Sequence, residues 1–135
     1  MYDFVYHRPT SLDAVLELLS NSDDPKLMAG GMTLLPTMKQ RLAQPSDLID
    51  LSAVPGMSGI SLANGQLEIG ALTRHVEVAQ SAVVKAEIPA LAALAELIGD
   101  PQVRNRGTLG GSVANSDPAA DYPAAVLALN ATIVT

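Results

Sequence analysis

Apolar residues recur along this chain with two different periods, and the switch between them divides it. Leu12, Val15, Leu16 and Leu19 follow the i, i+3, i+4, i+7 spacing of one buried stripe on an α-helix. Thr10 is placed to cap that helix, and Asp13 at its third position makes an approximate capping box. Asn21 to Pro25 reads as a loop. Lys26-Leu27-Met28-Ala29 is a short strand that stops at Gly30-Gly31, Leu34 to Leu42 reads as a helix opening at Pro36, and Leu48-Ile49-Asp50-Leu51 is a second short strand. The order helix, strand, helix, strand predicts a small sheet with helices packed on it.

From Gly59 to Thr73 the period becomes two. Ile60 and Leu62 alternate on one arm and Leu67 and Ile69 on the other, with Asn64-Gly65 between them. That dipeptide predicts a tight hairpin, because both residues tolerate positive φ. Thr73 is then expected to cap a short helix through Val76 and Ala79. A further helix runs from Pro89 through Leu91, Leu94, Ala95 and Ile98 to Gly99, a proline start and a glycine stop. Asp121 to Leu129 reads as the last helix and Ala131 to Thr135 as a strand, while Pro55 to Gly59 marks a subdomain boundary. No internal repeat or low-complexity segment interrupts the pattern.

Composition narrows the function classes. With 135 residues, 48 % hydrophobic and 16 % charged, the chain can bury a core and is not disordered. A net charge of −6 with scattered Lys and Arg gives no basic face for nucleic acid, and 3 % aromatic content is low for stacking bases. There is no Cys, which removes disulfides, thiolate metal sites and cysteine nucleophiles. The apolar run Leu91 to Ile98 is too short to span a bilayer, and no targeting signal is evident, so a soluble cytoplasmic protein without a transmembrane segment is the default expectation.

Three segments carry candidate chemistry. In Ala29-Gly30-Gly31-Met32-Thr33, two glycines after a strand can expose consecutive N–H groups to a phosphate, or can simply turn the chain. Arg104-Asn105-Arg106-Gly107-Thr108-Leu109-Gly110-Gly111-Ser112 offers amide, hydroxyl and guanidinium donors to an anion, and its spacing differs from the Gly-x-Gly-x-x-Gly of a Rossmann site. Both glycine pairs read as turns, and two Gly-Gly turns in one small domain suggest a diphosphate held from both sides. Asp117 and Asp121, at the start of a helix, are either capping acids or acceptors for sugar-like hydroxyls. No catalytic acid–base pair, metal cluster or nucleophile triad emerges. His7 and His75 are isolated, which favours solvated or capping side chains.

These three segments, in this order and with Tyr6-His7-Arg8-Pro9 ahead of them, resemble the FAD-binding (medium) subunit of molybdenum hydroxylases, the group that includes aerobic carbon monoxide dehydrogenase and xanthine dehydrogenase. The resemblance implies an α+β, vanillyl-alcohol-oxidase-like (PCMH-type) fold of two small α/β subdomains, 1–57 and 58–135, with FAD between them. It puts Ala29, Gly30, Gly31, Met32 and Thr33, together with Thr108, Leu109, Gly110, Gly111 and Ser112, on the diphosphate. Asp121 falls at a ribityl contact and Ile98 at an apolar position beside the flavin. Ser112 stands where relatives often carry Asn.

The implied role is electron transfer from iron–sulfur clusters, through FAD, to an external acceptor. The clusters and the molybdenum cofactor would be carried by an iron–sulfur small subunit and a molybdopterin large subunit in a hetero-oligomer. The other readings are a free-standing flavin oxidoreductase of the same fold and a non-catalytic assembly subunit. A family flavin subunit continues past the position of Thr135, so the second subdomain is expected to be incomplete and a carboxy-terminal domain absent. The 131–135 strand would then leave an open sheet edge, with weak FAD binding and self-association as the expected results. Valine at Gly30 or Gly110 is expected to cut FAD binding and leave the fold largely intact.

Overall fold

The computed structural model describes residues 1–135. Three parallel strands, β1 (Val5–His7), β2 (Pro25–Met28) and β3 (Asp47–Asp50), make one sheet in the order β1–β3–β2. Parallel neighbours need crossovers, and helices α1 (Leu12–Asn21) and α2 (Leu34–Lys39) supply them. β3 pairs on both sides, with Asp47 opposite both Val5 and Pro25, and Leu48 and Ile49 on it are buried. β1 was not expected from the sequence. Three residues are too few for a period, and its pairing is fixed by distant groups: the Tyr6 hydroxyl donates to Asp50 Oδ2 at 2.6 Å, and His7 Nε2 lies 2.6 Å from Asp47 Oδ1.

Helix α1 corrects the expected cap and stripe. Ser11, not Thr10, is the cap, its Oγ accepting from Ala14 N at 3.3 Å, so Asp13 is not in the capping-box position. Leu12 and Leu16 are 56 % and 60 % exposed; Val15, Leu18 and Leu19 face the core beside Ile49, Leu51 and Val54. Both sets satisfy helical spacing, and only the sheet beneath decides between them. Helix α2 begins at Leu34, with Pro36 inside its first turn where no N–H is needed, and ends at Lys39, short of Leu42.

The hairpin forms as expected. β4 (Ile60–Ala63) pairs antiparallel with β5 (Gln66–Ile69), and Asn64 and Gly65 carry φ of 52° and 76°. Helices α3 (His75–Gln80), α4 (Ala82–Glu87), α5 (Pro89–Leu97), α6 (Pro101–Arg104), α7 (Leu109–Asn115) and α8 (Asp121–Ala128) follow. Val78, Val84, Leu91, Ala95 and Tyr122 form their core, with Ile60, Leu67 and Ile69 packed against it. Thr73 does not cap α3. Its buried hydroxyl accepts from Gly59 N and donates to Gly59 O, while Arg74 caps the helix and the Glu77 carboxylate accepts from Arg74 N at 2.8 Å. Residues 131–135 form no strand, because a strand exists only in a ladder and no other strand pairs with them. No helix is long and apolar enough to cross a membrane.

Candidate functional site

The loop after β2 brings Gly30 against the second glycine-rich segment. A Cβ built on Gly30 would stand 2.0 Å from the Arg106 carbonyl oxygen and 2.9 Å from Gly107 Cα, and one on Gly111 would lie 3.3 Å from Ala29 Cβ. Gly31 turns the chain at φ 73°, a conformation L side chains rarely adopt. The backbone N–H groups of Gly30, Gly31, Met32 and Thr33 donate to no acceptor within the chain, so four consecutive donors remain available.

Thr108 to Ser112 is a helix start and not a turn, and its donors are largely in use. Leu109 N donates to Thr73 O at 3.0 Å, Gly110 N to Ala71 O at 2.8 Å, and Gly111 N to the capping Thr108 Oγ1 at 3.1 Å. Ser112 N donates to Thr108 O within the helix. With His75 N donating to Gly107 O, these bonds zip residues 71–75 to residues 107–110. Glycine at 110 answers to packing: an added Cβ would meet Ala71 Cβ at 2.6 Å. A side chain at Gly30 or Gly110 therefore strikes the chain's own backbone, and the expectation that such variants leave the fold intact does not hold.

A polar cleft of ≈ 230 Å³ opens at this junction, lined by Ala29, Gly30, Ser52, Arg74, Asn105, Arg106 and Thr108 among others. Ala29, Gly30 and Thr108, with Asn105 and Arg106 of the second candidate segment, are the sequence-named residues among its walls. Gly31, Met32 and Thr33 continue the same loop, with Met32 and Thr33 exposed, and Leu109 to Ser112 run on along α7. Ile98 lies elsewhere, as the C-cap of α5, packed against the helical core. Asp121 opens α8, exposed and without a side-chain hydrogen bond; Ala120, not Asp121, is the cap residue. Asp117 accepts from Ala119 N at 2.9 Å in a local turn.

Sequence reasoning missed Ser52 and Arg74, which tertiary closure alone brings here. It also treated two arginines alike. Arg104 Nη1 donates to the carbonyls of Ile98 and Gly99 at 3.1 and 3.2 Å and braces the α5–α6 corner, whereas the Arg106 guanidinium has no partner in the chain.

His75 corrects a further expectation, being 5 % exposed and not solvated. Its ring lies 5.3 Å from that of the fully buried Tyr122, and Gly107 backs onto it, with a built Cβ only 2.5 Å from Nε2. Burial holds the imidazole below its usual 6.5 against the opposing pull of the Asp121 carboxylate, and burial raises the Tyr122 phenol. His75 Nδ1 and the Tyr122 hydroxyl both lack a hydrogen-bond partner. An unsatisfied buried hydroxyl costs about 1–3 kcal/mol. Tyr122→Phe is therefore expected to leave stability unchanged or raise it by about 1 kcal/mol, read by chemical denaturation. A loss of similar size would mean that a buried water bonds the hydroxyl. His7, the other histidine, is half-buried and bonded to Asp47.

Residues 2–135 match the family described as the FAD binding domain in molybdopterin dehydrogenase. The carbon monoxide dehydrogenase medium chain of Hydrogenophaga pseudoflava is 46 % identical over 132 residues, 97 % of this chain and 46 % of that one. The nicotine 6-hydroxylase medium subunit of Paenarthrobacter nicotinovorans is 42 % identical over 128 residues, 95 % and 45 % of the two chains. Among solved structures, carbon monoxide dehydrogenase from H. pseudoflava, in a form lacking the Mo-pyranopterin moiety, superposes with a TM-score of 0.90 at 47 % identity, covering 94 % of this chain and 45 % of that one. The chain thus spans a little under half the length of the relatives it matches.

Proposed function

This chain belongs to the family of FAD-binding domains in molybdopterin dehydrogenases, and on that premise we propose that it holds the FAD of a molybdenum-dependent hydroxylase, as part of its medium subunit. The observation that carries the reading is the junction at Gly30, where four unengaged amides meet the Arg106–Thr108 segment over a polar cleft. Consecutive N–H donors, a hydroxyl and a guanidinium suit a diphosphate.

In this assignment Ala29, Gly30, Gly31, Met32 and Thr33 donate through the backbone. Thr108, whose hydroxyl oxygen accepts from Gly111 N, keeps its proton free to donate. Leu109, Gly110, Gly111 and Ser112 form the opposite wall. Asp121 accepts from ribityl hydroxyls with a carboxylate that holds no hydrogen bond within the chain, and Ile98 adds apolar surface toward the flavin. The cofactor lies between subdomains 1–57 and 58–135. Separate apolar clusters around Ile49 and around Val78 support that division, although Leu72 packs across it onto the first.

Bound FAD supplies the redox chemistry by which electrons from iron–sulfur clusters on one partner subunit, fed by a molybdenum cofactor on another, leave for an external acceptor. The chain's own work is to bind and orient the cofactor. The names of the similar proteins, medium chains and medium subunits, support a hetero-oligomeric setting.

The test is purification of the whole natural polypeptide followed by flavin absorbance and cofactor release. One FAD per chain, with an iron–sulfur and a molybdopterin subunit co-purifying, is the expected result; a chain that neither carries nor takes up FAD refutes the reading. Asp121→Ala should weaken FAD by about 2 kcal/mol. Apo stability should fall by less than about 1 kcal/mol, because the carboxylate makes no cap bond and only faces the first turn of α8.

A further inference from the structure

We propose that Arg106 is the cationic partner of the bound dinucleotide's diphosphate, its guanidinium donating to phosphate oxygens across the cleft from the Gly30–Thr33 amides. This rests on the FAD reading above and deepens it by assigning the charge to one arginine among those near the cleft, which the family match does not do.

A diphosphate brings about two negative charges, and the chain it approaches carries a net charge of −6. Backbone donors meet only part of that demand here. The amides of Leu109, Gly110 and Gly111 are already bonded within the chain, so the second glycine segment has few to offer. Within this chain, full positive charge at the cleft comes only from side chains. Arg74 and Arg106 are the cations lining the cleft, and no carboxylate lines it.

The two arginines are not equivalent. Arg74 is held by Glu77 through paired bonds of 3.1 Å from Nε and Nη2, so its charge is already compensated. Arg106 forms no salt bridge and no side-chain hydrogen bond. Its backbone, by contrast, is fixed: Arg106 N donates to Val103 O at 3.1 Å, and its carbonyl lies directly against Gly30. The guanidinium thus springs from a rigid point beside the free amides while its planar fork stays available for two phosphate oxygens, a geometry a lysine cannot reproduce.

The experiment uses the whole natural polypeptide in its apo form, with FAD and riboflavin titrated by flavin fluorescence at low and high salt. Arg106→Gln should raise the Kd for FAD by about tenfold or more, the usual scale for losing a charged hydrogen-bond partner. It should also flatten the salt dependence, leave riboflavin binding unchanged because riboflavin has no phosphate, and leave the apo melting temperature unmoved. Arg106→Lys should recover part of the loss, and Arg74→Gln should have a smaller effect than Arg106→Gln.

The proposal is overturned if Arg106→Gln binds FAD with the wild-type Kd and salt slope. It is equally overturned if the variant loses FAD only in proportion to a lowered apo melting temperature, which would make Arg106 structural. Both results leave FAD binding by the wild type intact. A wild type that binds no FAD would instead remove the flavin reading itself, and this proposal with it.

Discussion

Replacing Gly30 by alanine is expected to destabilise the protein by about 3 kcal/mol and to abolish tight FAD binding together with that loss. The new methyl would sit 2.0 Å from the Arg106 carbonyl oxygen and 2.7 Å from its carbon. These are backbone atoms, so no rotamer change relieves the overlap. Either the β2–α2 loop lifts away or the 103–107 segment moves, and Arg106 N, bonded to Val103 O, resists the second. The seam opens in both cases, separating the free amides from the guanidinium. A urea titration of the apo protein and a flavin titration of the same variant check the two parts. Gly30→Ala with wild-type stability would show that the two segments are not in contact in solution.

The second large effect lies under the sheet. Ile49→Ala should cost about 3 kcal/mol, since Ile49 is 0 % exposed in the central strand and packs with Val15, Leu51 and Val54. Leu16→Ala, on the helix above, should change stability by no more than about 0.5 kcal/mol because that side chain is 60 % exposed. Denaturant midpoints of the two variants make the comparison. Equal losses would mean that α1 packs through the Leu12–Leu16 face that its spacing alone suggests.

That contrast marks how far the sequence could be read. Elements closed by local chemistry were legible. Asn64-Gly65 specified the hairpin, Pro89 and Gly99 bracketed α5, and the run from Asp121 announced α8. Elements set by distant partners were not. β1 exists because β3 lies beside it, and the exposed face of α1 is chosen by the sheet. Ala131 to Thr135 has the alternation of a strand and no partner. Helix α4 is six residues long, too short to establish a period, and the glycines that open α7 disguised a helix start as a turn.

The candidate site divides in the same way. Both glycine segments stood out in the sequence, because glycine pairs next to hydroxyls are conspicuous. Which segment keeps its amides free depends on Thr73 and Ala71, whose carbonyls engage Leu109 and Gly110 only once the chain has folded. Arg106 could be suspected from its neighbours. The buried His75–Tyr122 pair had no signal at all, because a histidine between Arg74 and Val76-Glu77 reads as surface.

The order β1–β3–β2 leaves two open edges, and both are poor templates for aggregation. β1 offers only three residues before Arg8 and the buried Pro9, so an incoming strand would find a ladder too short to hold it. β2 starts with Pro25, which has no N–H to donate, and continues with the charged Lys26. Residues 131–135 lie outside any sheet and add no further edge to it. Val5, Tyr6 and Leu27 expose apolar surface along these edges, beside strands of only three and four residues, a short template for any ladder that would extend the sheet.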